Sequence, residues 1–503
     1  MEGRTPILLH DLPPELTIRI FQHTVLSTKA DSQILTTIKL SWVSKLWRNI
    51  VLGLPELWAS FRCSYRQPSL IELCIERART RPLSISLHTS LYDLTSLSIV
   101  AREIHRLKSF NLYYDGDRQQ DEPWPGDWSV PAPQLETLHV DNFCMPNNFF
   151  NGQMPLLQSL TLSSCSFDWG NFYHLPQLLH LSLHRPCVEW PLSTRAFLEM
   201  LKRCPNLKSL KASCALEGRY GSKDIVNLQD LEDLSITVDH CHDATRFLRH
   251  LTFPHTTRVQ LYALHSETQD PEGIFGALRE SRVDSVWNAQ AITMVEGTSL
   301  FYFKFTLFEH GYNPATPTID ISLASDSDDF IPFPIPLSEY MNLSELECLD
   351  FDSREAEPPY IWSIFDQLPK LRTLKVRTSY ARQFLEFVQS EGDNGGNGSI
   401  PPFPHLQELV YESRSEVSAE DFNSQLLQLS EYLQYRRRIG FGVICLTVVK
   451  CDQLTKETKN ALLECVQDLK LERRVPDIVK RTTSSSRRAR VIREVLRKIK
   501  LSY

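Results

Sequence analysis

The segments Pro155-Leu156-Leu157-Gln158-Ser159-Leu160-Thr161-Leu162 and Pro176-Gln177-Leu178-Leu179-His180-Leu181-Ser182-Leu183 decide the fold. Both carry leucines in the pattern Leu-x-x-Leu-x-Leu, with a proline two residues ahead of the first leucine. The alternation that closes the pattern predicts a short strand whose leucines share one face. Because such a strand cannot bury its apolar face alone, the pattern predicts that several copies stack side by side.

The same pattern recurs along most of the chain. The copies begin at Leu107, Leu135, Leu157, Leu178, Leu207, Leu231, Thr256 (a weak copy), Leu346, Leu371 and Leu406. Most of their steps lie between 21 and 29 residues, which is the period of leucine-rich repeats. Between the copies, the sequence predicts helices over Thr194–Arg203, Asp243–Leu251 and Arg382–Gln389. We therefore expect an α/β leucine-rich-repeat-like solenoid, a horseshoe, over residues 63–470; an α/β sheet without solenoid stacking is the alternative.

Two stretches interrupt the repeat pattern, and a third region lies after the last copy. Over residues 266–337, alternating apolar residues predict strands at Phe301–Leu307 and Ile319–Leu323, as degenerate repeats or as an inserted hairpin. Residues 391–400 are rich in glycine and predict a flexible loop. The end of the repeat region predicts a helical C-terminal cap. Its predicted elements are a helix over Ser418–Arg438, a strand over Val443–Val449 and a helix over Lys456–Leu469.

The N-terminal segment Ile7–Trp58 predicts a short helical cluster. Pro13 and Pro14 suit the start of a helix, and Glu15 falls in its first turn, where the helix dipole favours a carboxylate. One apolar stripe then runs through Leu16, Ile20 and Phe21, and a second from Val43 through Leu46, Trp47 and Ile50 to Val51, before Gly53 ends that helix. Roughly fifty residues bury only a small part of their own surface. The excess apolar surface therefore indicates a site for a partner.

This cluster resembles the F-box. The matching residues are Leu12-Pro13-Pro14-Glu15-Leu16 and Val43-Ser44-Lys45-Leu46-Trp47-Arg48, followed by Leu54-Pro55-Glu56-Leu57-Trp58. The link from Ser27 to Gln33 is longer than is usual in that family. The resemblance implies an F-box protein with C-terminal leucine-rich repeats, whose three-helix domain occupies residues 1–62. It implies contact with a Skp-family adaptor through Leu12, Pro13, Glu15, Leu16, Ile20, Phe21, Val43 and Trp47.

The function that the resemblance implies is that of a substrate-recognition subunit of an SCF-type E3 ubiquitin ligase. The adaptor would link the chain to a cullin–RING core, and the repeats would hold a protein substrate. In the repeat pattern, the residues between the leucines point away from the core. The candidate substrate-binding residues on that sheet face are His139, Asp141, Ser163, His184, Lys211, Asp239, Asp352, Lys375 and Arg377. The alternatives are a leucine-rich-repeat interaction scaffold with no ligase role, whose N-terminal helices only cap the solenoid, and an enzyme with an irregular site.

No sequence signature of catalysis accompanies these surfaces. The chain lacks the Gly-x-Ser-x-Gly, His-Glu-x-x-His, phosphate-loop and dinucleotide-binding patterns, so we expect a non-catalytic subunit without catalytic residues or cofactor. His240-Cys241-His242 resembles half of a metal site. If that segment is extended, only the two histidines share a face, and a structural zinc site needs four ligands. We therefore expect no metal. The twelve cysteines are scattered and predict free, mostly buried thiols.

The charge is unevenly distributed. Residues 471–503 contain eleven Lys and Arg against three Asp and Glu, a balance of +8. Because the whole chain has a net charge of −7, residues 1–470 have a net charge of −15. This basic tail predicts either a solvated or docked terminal helix or, less expectedly, a nuclear-import, nucleic-acid or membrane contact. No secretion signal and no apolar run of membrane-spanning length is visible, so we expect a cytoplasmic or nuclear protein.

Overall fold

The structure, a computed structural model, divides the chain into two compact α/β units. It describes residues 12–29, 32–64, 67–89, 95–114, 124–172, 175–184, 192–213, 216–217, 225–265, 270–282, 287–297, 301–309, 317–325, 337–353, 360–378, 384–389, 400–412, 418–449 and 454–472. Unit 1 comprises Met1–Ser285 and Ile321–Ser325, and unit 2 comprises Val286–Asp320 and Asp326–Tyr503. The division falls within residues 266–337, where the repeat rhythm breaks.

Unit 1 begins with three helices. They are α1 (Pro14–Ser27), α2 (Gln33–Val43) and α3 (Lys45–Leu52). The first begins at the predicted proline pair, with Pro13 at the N-cap. The third begins at Lys45, not at Val43 as the second apolar stripe suggested. The cause is Ser44, whose backbone is extended and whose hydroxyl accepts a hydrogen bond from the Trp47 amide at 3.2 Å. This cap separates α2 from α3, and Gly53 ends α3 as predicted.

The remaining elements of unit 1 alternate short helices with short strands. Its longer strands are β1 (Ser60–Ser64), β2 (Leu83–Thr89), β3 (Leu107–Tyr114), β4 (Thr137–Asp141), β5 (Ser159–Ser163), β6 (His180–His184), β8 (Ser209–Ser213), β11 (Asp233–His240) and β13 (Arg258–His265). Two-residue strands are β7 (Leu192–Ser193), β9 (Leu216–Glu217), β10 (Val226–Asn227) and β12 (Leu251–Thr252). Helices are α4 (Pro68–Ala78), α5 (Thr95–Ala101), α6 (Thr194–Leu201), α7 (Cys241–Leu248) and α8 (Asp270–Ser281), with 3₁₀ turns at Pro55–Leu57, Ile104–Arg106, Phe149–Gly152 and Trp169–Phe172.

The long strands of unit 1 pair in chain order and are all parallel. Their register is continuous except in the β2–β3 pair, where it shifts between Leu83 and Ser84. The pairs run β1–β2–β3–β4–β5–β6–β8–β11–β13. Equivalent leucines of successive copies are direct partners, as in Leu138, Leu160 and Leu181, each at most 1 % exposed. Because side chains alternate along a strand, this register gathers the leucines on one face and the polar residues on the other.

The proline that lies two residues ahead of many of the copies has a local role. In the turn Met154–Leu157, the Leu157 amide donates to the Met154 carbonyl at 3.1 Å, and Pro155 occupies the second position. That position of a β-turn favours proline because its ring fixes the required φ. The next amide, Gln158, donates at 2.9 Å to the Glu136 carbonyl of the preceding copy. The equivalent bond joins Lys208 to Leu179 at 2.8 Å, so the backbone links neighbouring copies at the turns as well as along the strands.

Unit 2 repeats the parallel pairing after an antiparallel start. Its strands are β14 (Trp287–Asn288), β15 (Ala291–Gly297), β16 (Phe301–Phe308), β18 (Met341–Asn342), β19 (Cys348–Ser353), β20 (Thr373–Thr378), β21 (Glu408–Glu412), β22 (Cys445–Val449) and β23 (Asp468–Glu472); β17 (Ile319–Ser325) crosses the division between the units. Its helices are α9 (Leu337–Tyr340), α10 (Tyr360–Ser363), α11 (384–389), α12 (Ala419–Arg438) and α13 (Lys456–Cys465). β15 and β16 form an antiparallel hairpin, and β15–β19–β20–β21–β22–β23 are parallel.

Several predicted elements of the C-terminal region are confirmed, and one boundary is wrong. The long helix α12 begins after Ser418, whose hydroxyl accepts from the Asp421 amide at 3.1 Å. The helix predicted over Lys456–Leu469 ends instead at Cys465, and β23 follows. β23 also takes the first two residues of the predicted tail. Residues 326–336, 390–399 and 473–503, which include the rest of the predicted loop and tail, lie outside the described residues.

The parallel register predicts where stability resides. Leu160→Ala removes a side chain that is 1 % exposed between two in-register leucines, so we expect a loss of about 2–5 kcal/mol in the free energy of unfolding. Thr161→Ala, at the next residue and on the opposite face, is the matched control and should cost less than about 1 kcal/mol. Urea unfolding followed by circular dichroism measures both. Equal losses for the two variants would contradict the assignment of the faces.

Candidate protein-binding surfaces

The N-terminal helices divide their apolar residues between a core and an exposed set. In α1 the buried residues Thr17, Phe21 and Val25 recur every fourth position, while Leu16 and Ile20, one position earlier, are exposed. The Phe21 ring packs against Trp47 of α3 with ring centroids 4.7 Å apart. The apolar stripe of α1 is therefore wider than the surface that α2 and α3 cover, and its outer edge faces solvent.

The junction between α2 and α3 exposes further apolar residues. Trp42 is 70 % exposed, Val43 is 61 % exposed and Leu46 is 50 % exposed. They straddle Ser44, where the chain turns from one helix into the next. Leu26 and Leu35, near the link between α1 and α2, are exposed as well. We call Leu16, Ile20, Leu26, Leu35, Trp42, Val43 and Leu46 the exposed apolar set of the helical cluster.

This set is concentrated. Among the residues that the structure describes, fourteen large apolar side chains are exposed, and seven of them belong to this set. Single exposed apolar residues are ordinary on protein surfaces, but a concentration in one small element is typical of an interaction site. The sequence of the helical cluster is basic, since residues 12–52 contain five Lys and Arg against Glu15 and Asp31. The chain as a whole has a net charge of −7.

The structure distributes the eight residues predicted at the adaptor contact between exposed and internal positions. Pro13, Glu15, Leu16, Ile20 and Val43 are exposed, and Leu12 and Trp47 are half-buried. Phe21 is 0 % exposed, so its side chain belongs to the core of the cluster in this structure. Sequence reasoning did not assign Leu26, Leu35, Trp42 or Leu46. Their apolar character was visible, but which edge of each helix is covered was not.

The helical cluster is fastened to the rest of unit 1 through its last turn. The Trp58 indole N–H donates to the Val51 carbonyl of α3 at 3.0 Å, and Trp58 is only 2 % exposed. The Thr37 hydroxyl of α2 donates to the Leu57 carbonyl at 3.5 Å. Strand β1 begins two residues later and pairs with β2. These bonds fix the cluster at the start of the parallel strands and leave the exposed apolar set outward.

The second surface is the polar face of the unit 1 strands, and the register arranges it in two rows. The first polar row is Asn111, His139, Thr161, Ser182, Lys211 and Ser235. The second polar row is Tyr113, Asp141, Ser163, His184, Ser213 and Thr237. The structure thus brings together the predicted residues His139, Asp141, Ser163, His184 and Lys211, and it places Asp239 farther along β11, where it is exposed.

The two histidines in these rows are held neutral by their surroundings. Partial burial lowers the pKa of His139 below its ordinary value of 6.5, and the nearby Asp141 carboxylate opposes this only in part. Burial and the Lys211 ammonium lower the pKa of His184 in the same way. The Ser182 hydroxyl and His184 Nε2 are 2.7 Å apart. At neutral pH these two positions therefore present uncharged imidazoles, and Lys211 is the one cation of the two polar rows.

Of the predicted binding residues in unit 2, Arg377 is already engaged in ion pairs with two acidic neighbours. The Arg377 guanidinium lies 2.9 Å from an Asp350 carboxylate oxygen that is nearly fully buried, and 3.8 Å from Glu412. Lys375, which lies on the same strand as Arg377, is half-buried. The side chain of Asp352 lies outside the described residues. This ion pair, in which only the carboxylate is buried, joins β20 to β19, so Arg377 has a structural role that the sequence did not reveal.

The other reactive residues occupy structural positions. His240 ends β11 and Cys241 begins α7, so the segment predicted as extended bends into a helix, and Cys241 is fully buried. The rings of His240 and His242 stack with centroids 5.4 Å apart. Burial raises the pKa of the Cys63 and Cys204 thiols to about 12, which keeps both protonated at neutral pH. All nine described cysteines are free, as expected.

Comparisons with protein-family models and with curated proteins found no match for this chain. The resemblance to the F-box therefore depends on the quoted residues and on their places in the helices. Within the part of the chain that the structure describes, none of the helices is both long and apolar enough to span a membrane.

The lowered pKa values predict a pH dependence of stability. Between the pKa of the folded protein and 6.5, the unfolded chain binds more protons at these positions, so stability falls as the pH falls through 6.5. We expect His139→Gln and His184→Gln each to reduce the loss of stability between pH 7 and pH 5, as measured by thermal unfolding. His180→Gln, at the exposed start of the same strand as His184, measures the effect of removing a surface imidazole. An undiminished loss in both variants would contradict the burial argument.

Proposed function

We propose that the chain is the substrate-recognition subunit of an SCF-type E3 ubiquitin ligase. The helical cluster would bind a Skp-family adaptor, which joins it to a cullin–RING core, and the polar face would bind a protein substrate. The observation that carries the proposal is the concentration of exposed large apolar side chains, seven of the fourteen described, in α1–α3. A protein that keeps so much apolar surface in three short helices needs a second polypeptide to cover it.

The position of individual residues supports the F-box assignment. Leu16 and Val43, which the F-box motifs contain, are exposed although their neighbours Thr17 and Ser41 are buried. Trp47, from the same motif, is half-buried against Phe21 and shapes the core beneath this surface. The basic balance of the cluster favours a partner whose apolar patch has an acidic rim, since complementary charge speeds association and orients it.

We propose further that the repeats stack as a leucine-rich-repeat solenoid. Successive copies pair in chain order, share one register and repeat the same turn and backbone bond, as in Gln158 to Glu136 and Lys208 to Leu179. A solenoid is built by stacking equivalent repeats, each displaced from the last by a similar step. Such stacking would present the polar rows as a continuous strip, which suits recognition of an extended protein segment.

The mechanism that follows is proximity. The adaptor and the polar face would hold a substrate and the ubiquitin-transfer machinery in one assembly, so that the chain raises their effective concentration. In this proposal the chain's own side chains perform no covalent step. Its contribution to the rate comes from affinity at two separate surfaces, and weakening either surface should slow ubiquitin transfer.

The alternative is a leucine-rich-repeat scaffold with no ligase role. One observation favours the scaffold: the polar face is formed by the strands alone, so it could bind a protein without any adaptor. A scaffold predicts a chain that is stable as a monomer and does not bind a Skp-family adaptor, which separates the two functions directly.

Substitutions at the α2–α3 junction test the adaptor contact. Trp42→Ala should weaken binding to a purified Skp-family adaptor by roughly thirtyfold, because a large aromatic anchor is lost. Val43→Glu should weaken it at least as much, since a carboxylate would be desolvated in an apolar contact. Isothermal titration or surface plasmon resonance measures both. Each residue is exposed in the free chain, so neither change should lower its unfolding free energy by more than about 0.5 kcal/mol.

The matched control is Leu463→Glu, which places the same charge at a leucine that is 50 % exposed on α13 in unit 2. This variant should bind the adaptor as the parent chain does. Absence of adaptor binding by the parent chain, or equal affinity for all four proteins, would overturn the ligase proposal and favour the scaffold.

A further inference from the structure

Three aromatic rings stack across neighbouring strands on the polar face of unit 1. The rings of His88 on β2 and Tyr113 on β3 lie 4.6 Å apart and nearly parallel, at 12°. Tyr113 and His139 on β4 follow at 4.8 Å and 39°. All three residues are half-buried rather than enclosed in the core. We call His88, Tyr113 and His139 the ring stack. Its alignment comes from the parallel register, in which His88 and Tyr113 are direct partners.

A carboxylate adjoins the ring stack. Asp141 is the register partner of Tyr113 on the next strand, and it is half-buried. It follows His139 by two residues on β4 and shares a register row with His184, which lies two strands away. Within the described part of the chain, the Asp141 carboxylate has neither a hydrogen bond nor an ion pair. A partly desolvated carboxylate beside a π surface provides two features that a planar cation recognises at once.

A single ammonium lies farther along the same face. Lys211, on β8, is exposed and has no ion pair within the described part of the chain. Three strand-to-strand steps separate its strand from that of Asp141, because the order is β4–β5–β6–β8. With about 4.8 Å per step and a two-residue offset along the strands, the two positions are roughly 16 Å apart. An extended peptide covers this distance in roughly five residues at about 3.3 Å each.

We propose that this face binds an extended peptide segment whose arginine stacks on the ring stack and pairs with Asp141, and whose acidic residue, roughly five positions away, pairs with Lys211. The inference deepens the proposed substrate-binding role of the polar face, and it is independent of adaptor docking. Arginine fits better than lysine because its flat guanidinium both stacks on a ring and presents paired N–H donors to a carboxylate. Between the two charged ends, Ser163, Ser182 and Ser213 offer hydroxyls to the peptide backbone.

The same face disfavours a nucleic acid. Stacked rings can serve as a platform for bases, but single-strand binding also needs a groove of cations along the phosphates. Here the carboxylates of Asp141 and Asp239 would repel phosphates. Because His139 and His184 are neutral at neutral pH, Lys211 is the one cation of the two polar rows, and a single cation does not form such a groove. A phosphorylated peptide is disfavoured near Asp141 for the same reason.

Peptide mixtures test the inference on the full-length chain. The probes are fluorescein-labelled ten-residue mixtures with one fixed arginine, one fixed glutamate four, five or six positions away in either direction, and equimolar uncharged residues elsewhere. Fluorescence polarisation should detect binding at one spacing and direction. Replacing arginine by citrulline or by lysine should weaken it roughly fivefold or more, since either the charge or the planar group is lost.

Variants of the chain assign the contacts. Asp141→Asn and Tyr113→Ala should each lower the affinity roughly fivefold or more, whereas Tyr113→Phe, which keeps the ring, should bind as the parent does. Lys211→Gln should remove the preference for glutamate over glutamine in the peptide. The matched control is Glu232→Gln, the same kind of charge removal at an exposed carboxylate in the turn before β11.

Absence of binding by any mixture at millimolar peptide would overturn the inference. An arginine preference that survives in Asp141→Asn and in Tyr113→Ala would overturn it too. Stronger binding of oligothymidylate than of every peptide mixture would overturn it as well. The adaptor is absent from this assay, and Asp141→Asn should keep the adaptor affinity of the parent chain. Failure of the peptide arm with adaptor binding intact would therefore remove this inference alone, whereas loss of adaptor binding by the parent chain would remove the ligase role alone.

Discussion

The in-register parallel pairing of the repeat strands is the constraint on which both candidate surfaces depend. Each leucine of one copy meets the equivalent leucine of the next, as Leu138 meets Leu160, so a shift of one residue would move every leucine to the solvent face. The turn with proline at its second position and the bond from its following amide to the preceding copy hold the same register from outside the strands. Burial of the leucines and alignment of the polar rows are thus two results of one pairing.

This pairing explains why the first helices keep an uncovered face. Strand β1 occupies the start of the parallel series, and Trp58 and Leu57 carry the helical cluster on that end through the bonds to Val51 and Thr37. The cluster's core is small, with Phe21 and Trp47 at its centre, and the outer edges of its helices have nothing to pack against among the described residues of unit 1. A partner that covered this surface would offset its cost and stabilise the folded chain.

Much of the local structure could be predicted from the sequence, because its signals are short in range. Alternating leucines give β4, β5 and β6, and the serine cap with its apolar stripe gives α12. The prediction missed β23, because it extended the preceding helix to Leu469 and began the basic tail at residue 471. It also missed α8 and β15, which lie where the repeat rhythm breaks. The ring stack was beyond reach, because His88 and Tyr113 meet only through a register between strands that one sequence does not specify. Periodicity likewise groups Ile20 with Phe21, although one is exposed and the other is internal.

The most direct test of the central claim is hydroxyl-radical footprinting of the full-length chain, read by mass spectrometry at two tryptophans. Trp42 is 70 % exposed and Trp58 is 2 % exposed, so the account predicts rapid oxidation of Trp42 and almost none of Trp58 in the free chain. Addition of a Skp-family adaptor should protect Trp42 and leave Trp58 unchanged. Protection of Trp42 already in the free chain, or its unaltered oxidation with adaptor in excess, would contradict the claim that these helices await a second polypeptide.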